Sequence, residues 1–230
     1  MTGELLAGAG RGRGRTPPGT GDRVGASAVV DDDGRAASAA PGYSAAPFYA
    51  RHMAQKNGVL SVVVSGAAAA ADVASLVKQA LERGWAVQVI ATPSALAFFD
   101  AAEIEALTGS PVRSQHRAPG TPRSRVPDAI VVAPATFNLL NQWALGVADS
   151  YALAVLAEQT GMGLPIVVLP AVSAPLASRP QFARSLQTLR GEGVSVLLGP
   201  GGAAPPGANE DSFPWQLALD EAFSMTGFGG

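Results

Sequence analysis

The stretch 129–149, AIVVAPATFNLLNQWALGVAD, constrains the fold more than any other part of the chain. Four apolar, mostly β-branched residues (130–133) run into Pro134, a polar corner carrying Thr136 and Asn138 follows, and an amphipathic helix begins after it. An uninterrupted apolar run of this length reads as a strand buried on both faces, and so as a parallel strand that hands a polar loop to a helix N-terminus. In open α/β sheets ligands bind beyond the carboxyl ends of the strands. The rest of the chain is therefore expected to supply loops beside this one.

The other segments repeat the unit. VLSVVV (59–64) ends in Ser65-Gly66, and AAAAADVASLVKQALERG follows with strong helix propensity. Its Val73, Leu76, Val77 and Leu81 recur at helical spacing, and Gly84 is a natural stop. The small residues of that turn would let helix amides approach a phosphate. A complete G-x-G-x-x-G and a P-loop lysine are both missing, so neither motif applies. In AVQVIATPSALAFF a strand covers 87–91, Thr92-Pro93-Ser94 turns, and a short helix follows. Ser94 stands at an N-cap position, where its hydroxyl serves either the helix amides or a bound anion. Residues 100–107 read as a helix starting from an Asp cap.

Residues 110–127, SPVRSQHRAPGTPRSRVP, carry Arg113, Arg117, Arg123, Arg125 and His116 without any apolar period. Such a segment is a mobile functional loop or simply disordered. A lone loop histidine is either solvated surface or a functional group. Beyond the organising stretch, 151–158 continue as a helix and PIVVLPA (165–171) is a buried strand reaching a second polar corner at Ser173. Arg179-Pro180 opens a helix that closes at Gly191 or Gly193, GVSVLLGPGG is a last strand, and WQLALDEAFSM (215–225) is a C-terminal helix. Five strands alternating with helices predict one Rossmann-like α/β domain, 56–230, with a doubly wound parallel sheet in a flavodoxin-like three-layer arrangement.

Residues 1–55 differ from this domain. They are rich in Gly, Pro, Ala, Ser and Arg, show no period, and read as a disordered low-complexity tail. Met53 precedes the first folded-looking segment, so translation is expected to start naturally there, and a chain lacking 1–52 is expected to fold. The Arg-Gly run at 11–15 is too short to predict nucleic-acid binding. A net charge of -2 points the same way and gives no reason for adhesion to an acidic membrane. With no cysteine and two histidines, His52 and His116, thiol chemistry is excluded and no metal cluster is expected. The longest apolar run is too short and too polar to span a bilayer, and a cytoplasmic location is the default.

The ordered set of corners resembles the homo-oligomeric flavin-containing cysteine decarboxylases, which include phosphopantothenoylcysteine decarboxylase and the lantibiotic peptidyl-cysteine decarboxylases. That family carries a P-x-S-A-N-T loop and a helix ending G-x-A/C-D. Here these positions read Pro134-Ala135-Thr136-Phe137-Asn138-Leu139 and Gly146-Val147-Ala148-Asp149. Its early Gly-Ser/Ala turn matches Ser65-Gly66-Ala67, and its T-x-S-A turn matches Thr92-Pro93-Ser94-Ala95. The resemblance implies FMN as cofactor, with Ser65, Gly66, Ala67, Thr92 and Ser94 around the phosphate and ribityl chain. Ala133, Pro134, Ala135, Thr136 and Asn138 would lie against the ring. It also implies a homotrimer, or a multiple of trimers, with FMN between subunits.

Other positions depart from the family. His116 lies a few residues upstream of the family's catalytic histidine. The family's second corner, P-A-M-N-x-x-M-W, binds the substrate carboxylate through its Asn and Met. Here Ser173 stands at the Asn position, Leu176 at the second Met and Ala177 at the Trp. The closing segment with its cysteine is replaced by GANEDSFPW. These changes predict an FMN-dependent carbon-carbon lyase related to the decarboxylases. Its cysteine decarboxylation is weakened or lost, and its substrate touches Ser173 and Asn138. The arginines of 113–125 would offer an acidic substrate a replacement anchor. Two alternatives stay open: a flavin-binding or regulatory protein without turnover, and a structural protein with an empty cleft.

Overall fold

Each apolar run becomes a strand. The computed structural model describes residues 58–116, 120, 124–199 and 213–228. The tail 1–55, Met53, His52, Arg117, Arg123 and the segment 200–212 lie outside the described residues. Strands β1 (Val59–Val64), β2 (Ala86–Ala91), β3 (Ala129–Ala135), β4 (Ile166–Pro170) and β5 (Ser195–Val196) form one sheet in the order β2-β1-β3-β4-β5. All its pairings are parallel. The predicted last strand is shorter than expected, although Leu197 still donates its amide to the Val168 carbonyl at 2.9 Å.

Side-chain alternation covers the sheet on both faces. Leu60, Val62, Val64, Val87, Val89, Val131, Ala133, Val167 and Leu169 point to one face. There they meet α1 (Val73–Glu82) and α7 (Trp215–Thr226). Val63, Ile90, Ile130, Val132, Ile166 and Val168 point to the other. That face is covered by α3 (Phe137–Ala144), α4 (Tyr151–Gly161) and α6 (Pro180–Gly191). Helix α2 (Ala101–Thr108) packs beside α1 and β2, and Asp100 caps it as predicted, accepting from the Ala102 amide at 2.9 Å. A short α5 (Ala174–Ala177) between β4 and α6 went unread in the sequence. The result is the doubly wound three-layer arrangement expected. Two fully buried faces at roughly 1.5–3 kcal/mol per large apolar side chain explain why β-branched runs without polar alternation end up here.

Two local expectations need correction. The alanine run after β1 does not enter an α-helix directly; Ala68–Asp72 is 3₁₀, and α1 starts only at Val73. Asp72 is drawn into side-chain bonds at that junction, accepting from Ser75 Oγ at 2.6 Å and from Trp215 Nε1 at 2.9 Å. The 110–127 loop is not featureless either. Arg113 forms a parallel bridge beside Ile90, its amide bonding Val89 O at 3.0 Å and its carbonyl Ala91 N at 2.8 Å. Farther along, the Arg125 carbonyl accepts from Gln88 Nε2 at 3.0 Å, and the same nitrogen bonds the buried Ser61 hydroxyl at 2.6 Å. The crossover from β2 to β3 is thus tied to the sheet edge and then to the polar side chain of Gln88.

Candidate functional site

The strand order fixes where the loops converge. From β1 the chain moves outward to β2, and from β3 it moves the other way to β4 and β5. The topological switch point therefore lies between β1 and β3, at their carboxyl ends. Ser65 follows β1 and Pro134 lies at the end of β3, after a cis Ala133-Pro134 peptide. The buried Ser65 hydroxyl donates to the Pro134 carbonyl at 2.7 Å and accepts from the Thr136 amide at 2.8 Å. Its own amide also bonds Pro134 O at 3.2 Å. Ser65 is thus the clasp that holds the β3 corner against the β1 turn.

Gly66 comes next, where any side chain would collide with its neighbour. A Cβ there would lie 2.8 Å from Ser94 Oγ and 3.1 Å from the Ser94 carbonyl carbon. The turns leaving β1 and β2 are in backbone contact, and glycine permits that approach. Ser94 is exposed, its hydroxyl 3.1 Å from Thr92 Oγ1. The segment Ala95–Ala97 is a single 3₁₀ turn to which Ser94 gives no side-chain cap. Of the two readings open for Ser94, capping is overturned: the hydroxyl faces Thr92 and the Gly66 turn instead.

The β3 corner also differs from expectation. The helix starts at Phe137, so Thr136 is its N-cap, accepting from the Leu139 amide at 3.4 Å. Asn138 therefore sits on the first helical turn, exposed, with Nδ2 3.2 Å from Gln142 Oε1. Ala133 and Ala135 are fully buried in the two core layers, so at those positions a ligand could meet only backbone. At the β4 corner the Ala171 amide bonds Ala135 O at 2.9 Å, and Ser173 is exposed with no side-chain cap bond to α5. Gly146, with φ +72°, ends α3 in the left-handed conformation, which gives the predicted Gly146-Val147-Ala148-Asp149 stretch a structural role. His116 is exposed, and its ring stands edge-on to Tyr151 at the start of α4, 5.4 Å between centroids. Ser65, Gly66, Thr92, Ser94 and Thr136 are brought to one end of the sheet; His116 is held against α4 instead.

A buried polar brace behind this corner went unread. Asn141 on α3 donates to the Phe137 carbonyl at 2.8 Å and accepts from Ser185 Oγ on α6 at 2.6 Å. Gln181 donates to the same hydroxyl at 3.0 Å. Nothing in the spacing of Asn141 and Ser185 signals that they meet, since the helices that carry them are separated by β4. Among the described residues no group of acidic or histidine side chains could hold a metal ion, and no helix is long and apolar enough to cross a membrane.

Residues 49–212, most of the chain, match the flavoprotein family. The chain belongs to the flavoprotein family. Among the relatives of this flavoprotein is the coenzyme A biosynthesis bifunctional protein CoaBC of Mycolicibacterium smegmatis, 34% identical over 161 residues, 68% of this chain and 37% of that protein. The chain thus spans little more than a third of the length of such relatives. Its fold is shared with HAL3 from Cryptococcus neoformans (TM-score 0.63, 22% identity, covering 75% of this chain and 99% of that one). It is also shared with the FMN-dependent cysteine decarboxylase TvaF from thioviridamide biosynthesis (TM-score 0.59, 21% identity, covering 74% and 98%).

The corner suits a flavin phosphate. Gly66 lets the β1 turn close on Ser94, the Thr92 and Ser94 hydroxyls lie side by side, and neither is spent on a helix cap. Hydroxyls and backbone amides at the carboxyl ends of parallel strands are apt donors for such a dianion.

Proposed function

We propose that this flavoprotein binds FMN across the switch point between β1 and β3 and is an FMN-dependent lyase related to the cysteine decarboxylases. The observation that carries the reading is the close approach of Gly66 to Ser94, which packs the β1 and β2 turns together and sets the Thr92 and Ser94 hydroxyls side by side at the end of the sheet where ligands bind in this topology. Gly66, Ala67, Thr92 and Ser94 would hold the phosphate and ribityl chain. Ser65 would act through the shape it gives the β3 corner, and the backbone of Ala133, Pro134 and Ala135 with the side chains of Thr136 and Asn138 would face the ring. When bound, FMN supplies a two-electron acceptor.

The chain's own residues would place a substrate against that acceptor at Asn138 and Ser173. His116 would serve as the base, an arrangement that needs it to reach the substrate from its place on Tyr151. Cysteine decarboxylation is weakened or lost in this reading, because Ser173 presents a short hydroxyl where the resembling family has an amide. Incubation of the FMN-loaded protein with a cysteine-terminated peptide tests this: a slow or absent mass loss of carbon dioxide is expected, and turnover as fast as a dedicated decarboxylase would refute it.

A second reading is a flavin-binding or regulatory protein without turnover. It is favoured by the chemistry of the strand-end corners, which among the described residues carry hydroxyls and amides but no carboxylate or imidazole. Assembly as a homotrimer and a cytoplasmic location belong to the same proposal. The exposed Leu96 (39%) and Phe98 (41%) just beyond Ser94 support the former, since a neighbouring subunit would cover them.

A further inference from the structure

We infer that Arg179 is a specificity-determining residue that binds the carboxylate of an acidic substrate at the rim of the flavin site. This rests on the reading of the site as an FMN site and names the substrate class it takes.

Arg179 closes the connection from β4 to α6, the connection that also carries Ser173. Its backbone is fixed on both sides: its amide bonds Leu176 O at 3.2 Å, and its carbonyl accepts from Phe182 N at 2.9 Å. Its guanidinium Cζ stands 6.0 Å from the centroid of the Phe137 ring. Phe137 is the first residue of α3, between the Thr136 cap and the exposed Asn138, and its ring also stacks on the buried Phe182, 6.1 Å between centroids and 24° between planes. Phe137 therefore gives the guanidinium an aromatic platform on the first turn of α3, the turn that also carries Asn138.

The charge on that platform is unspent. The ion pairs among the described residues are Lys78–Glu103 and Arg83–Asp220. Among the described residues Arg179 has no ion pair and its guanidinium no hydrogen bond. A guanidinium carried over a ring face is weakly hydrated and keeps its N–H edge available, and that edge matches a carboxylate with two parallel hydrogen bonds. The exposed Ser173 hydroxyl at the start of the same connection and the Asn138 amide beside Phe137 are neutral groups that could add bonds but no charge. Arg179 is thus the cationic side chain that the β4 connection brings to the α3 corner. Arg113, of the arginine-rich segment, is tied instead by its backbone to the β2 edge.

The test uses the full chain loaded with FMN and two probes of equal size, N-acetylcysteine and N-acetylcysteinamide, titrated by calorimetry. The carboxylate is expected to bind at least about tenfold more tightly than the amide, as a charge-assisted bidentate pair would give. Arg179→Gln should reduce that preference to less than about twofold, Arg179→Lys should keep part of it, and FMN affinity should stay within about twofold in both. Equal or absent binding of the two probes by the unaltered protein, or an unchanged preference in Arg179→Gln, overturns the proposal while FMN uptake keeps the flavin reading intact. A loss of FMN affinity of about tenfold or more in Arg179→Gln assigns the arginine to the cofactor phosphate and overturns it as well. Failure of the unaltered chain to take up FMN removes the flavin reading and this proposal together.

Discussion

Ser65 and Pro134 are joined twice, by the serine hydroxyl at 2.7 Å and the serine amide at 3.2 Å, both donating to the same proline carbonyl. The bond is buried and spans the two strands that flank the switch point, so the shape of the cleft depends on it. Removing the hydroxyl leaves the Thr136 amide without its 2.8 Å acceptor as well. Ser65→Ala is expected to cost about 1–3 kcal/mol of stability, the usual penalty for stranding buried polar partners. FMN affinity should fall by about tenfold or more as the β3 corner loosens. Urea denaturation and flavin titration measure the two effects separately. Unchanged values in both would show that the clasp is incidental.

Gly66→Ala should act on the cofactor far more than on the fold. The new methyl meets Ser94 at 2.8 Å from Oγ and 3.1 Å from the carbonyl carbon, so the β1 and β2 turns must separate locally to admit it. A loss of FMN affinity of about tenfold, equal to ~1.4 kcal/mol, is expected with a melting temperature lowered only slightly. Equilibrium titration with FMN and calorimetric melting of the cofactor-free chain decide it.

The brace between α3 and α6 predicts a coupled pair. Asn141 and Ser185 are both buried, 2.6 Å apart, and each is the other's partner. Asn141→Ala and Ser185→Ala should each destabilise by about 1–3 kcal/mol, and the double variant by less than their sum, with a coupling of about 0.5–3 kcal/mol. Strict additivity in a double-mutant cycle would contradict the network.

His116→Ala separates the two functional readings. In the lyase reading His116 is the base, so the rate on a processed substrate should fall by about a hundredfold or more while FMN affinity stays unchanged. Stopped-flow flavin reduction follows it directly. A variant that keeps the full rate removes His116 from the chemistry.

Much of the fold was legible because it rests on one-dimensional patterns. The runs at 59–64, 86–91, 129–135 and 166–170 are β-branched without alternation, and burial on both faces of a parallel sheet is what such runs are suited to. The convergence of Ser65, Gly66, Thr92, Ser94 and Thr136 was legible for the same reason, since each closes a strand. What each of them does there was not. Ser65 carries a hydroxyl suited to phosphate, yet it clasps Pro134. Ser94 stands where a cap belongs and makes none, because the chain beyond it is a single 3₁₀ turn. Asn138 lies one position inside a helix that Thr136 begins. Arg179 over Phe137, Asn141 against Ser185 and Gln88 beneath the Arg125 carbonyl are pairings across the fold, which no local period encodes.

The most direct test is the visible spectrum of the purified protein before and after reconstitution with FMN. A yellow protein, or one that takes up FMN with one flavin per chain and binds it about tenfold more weakly in Gly66→Ala, is the predicted result. A colourless protein that leaves added FMN entirely free would contradict the claim that the carboxyl ends of β1, β2 and β3 form a flavin cleft.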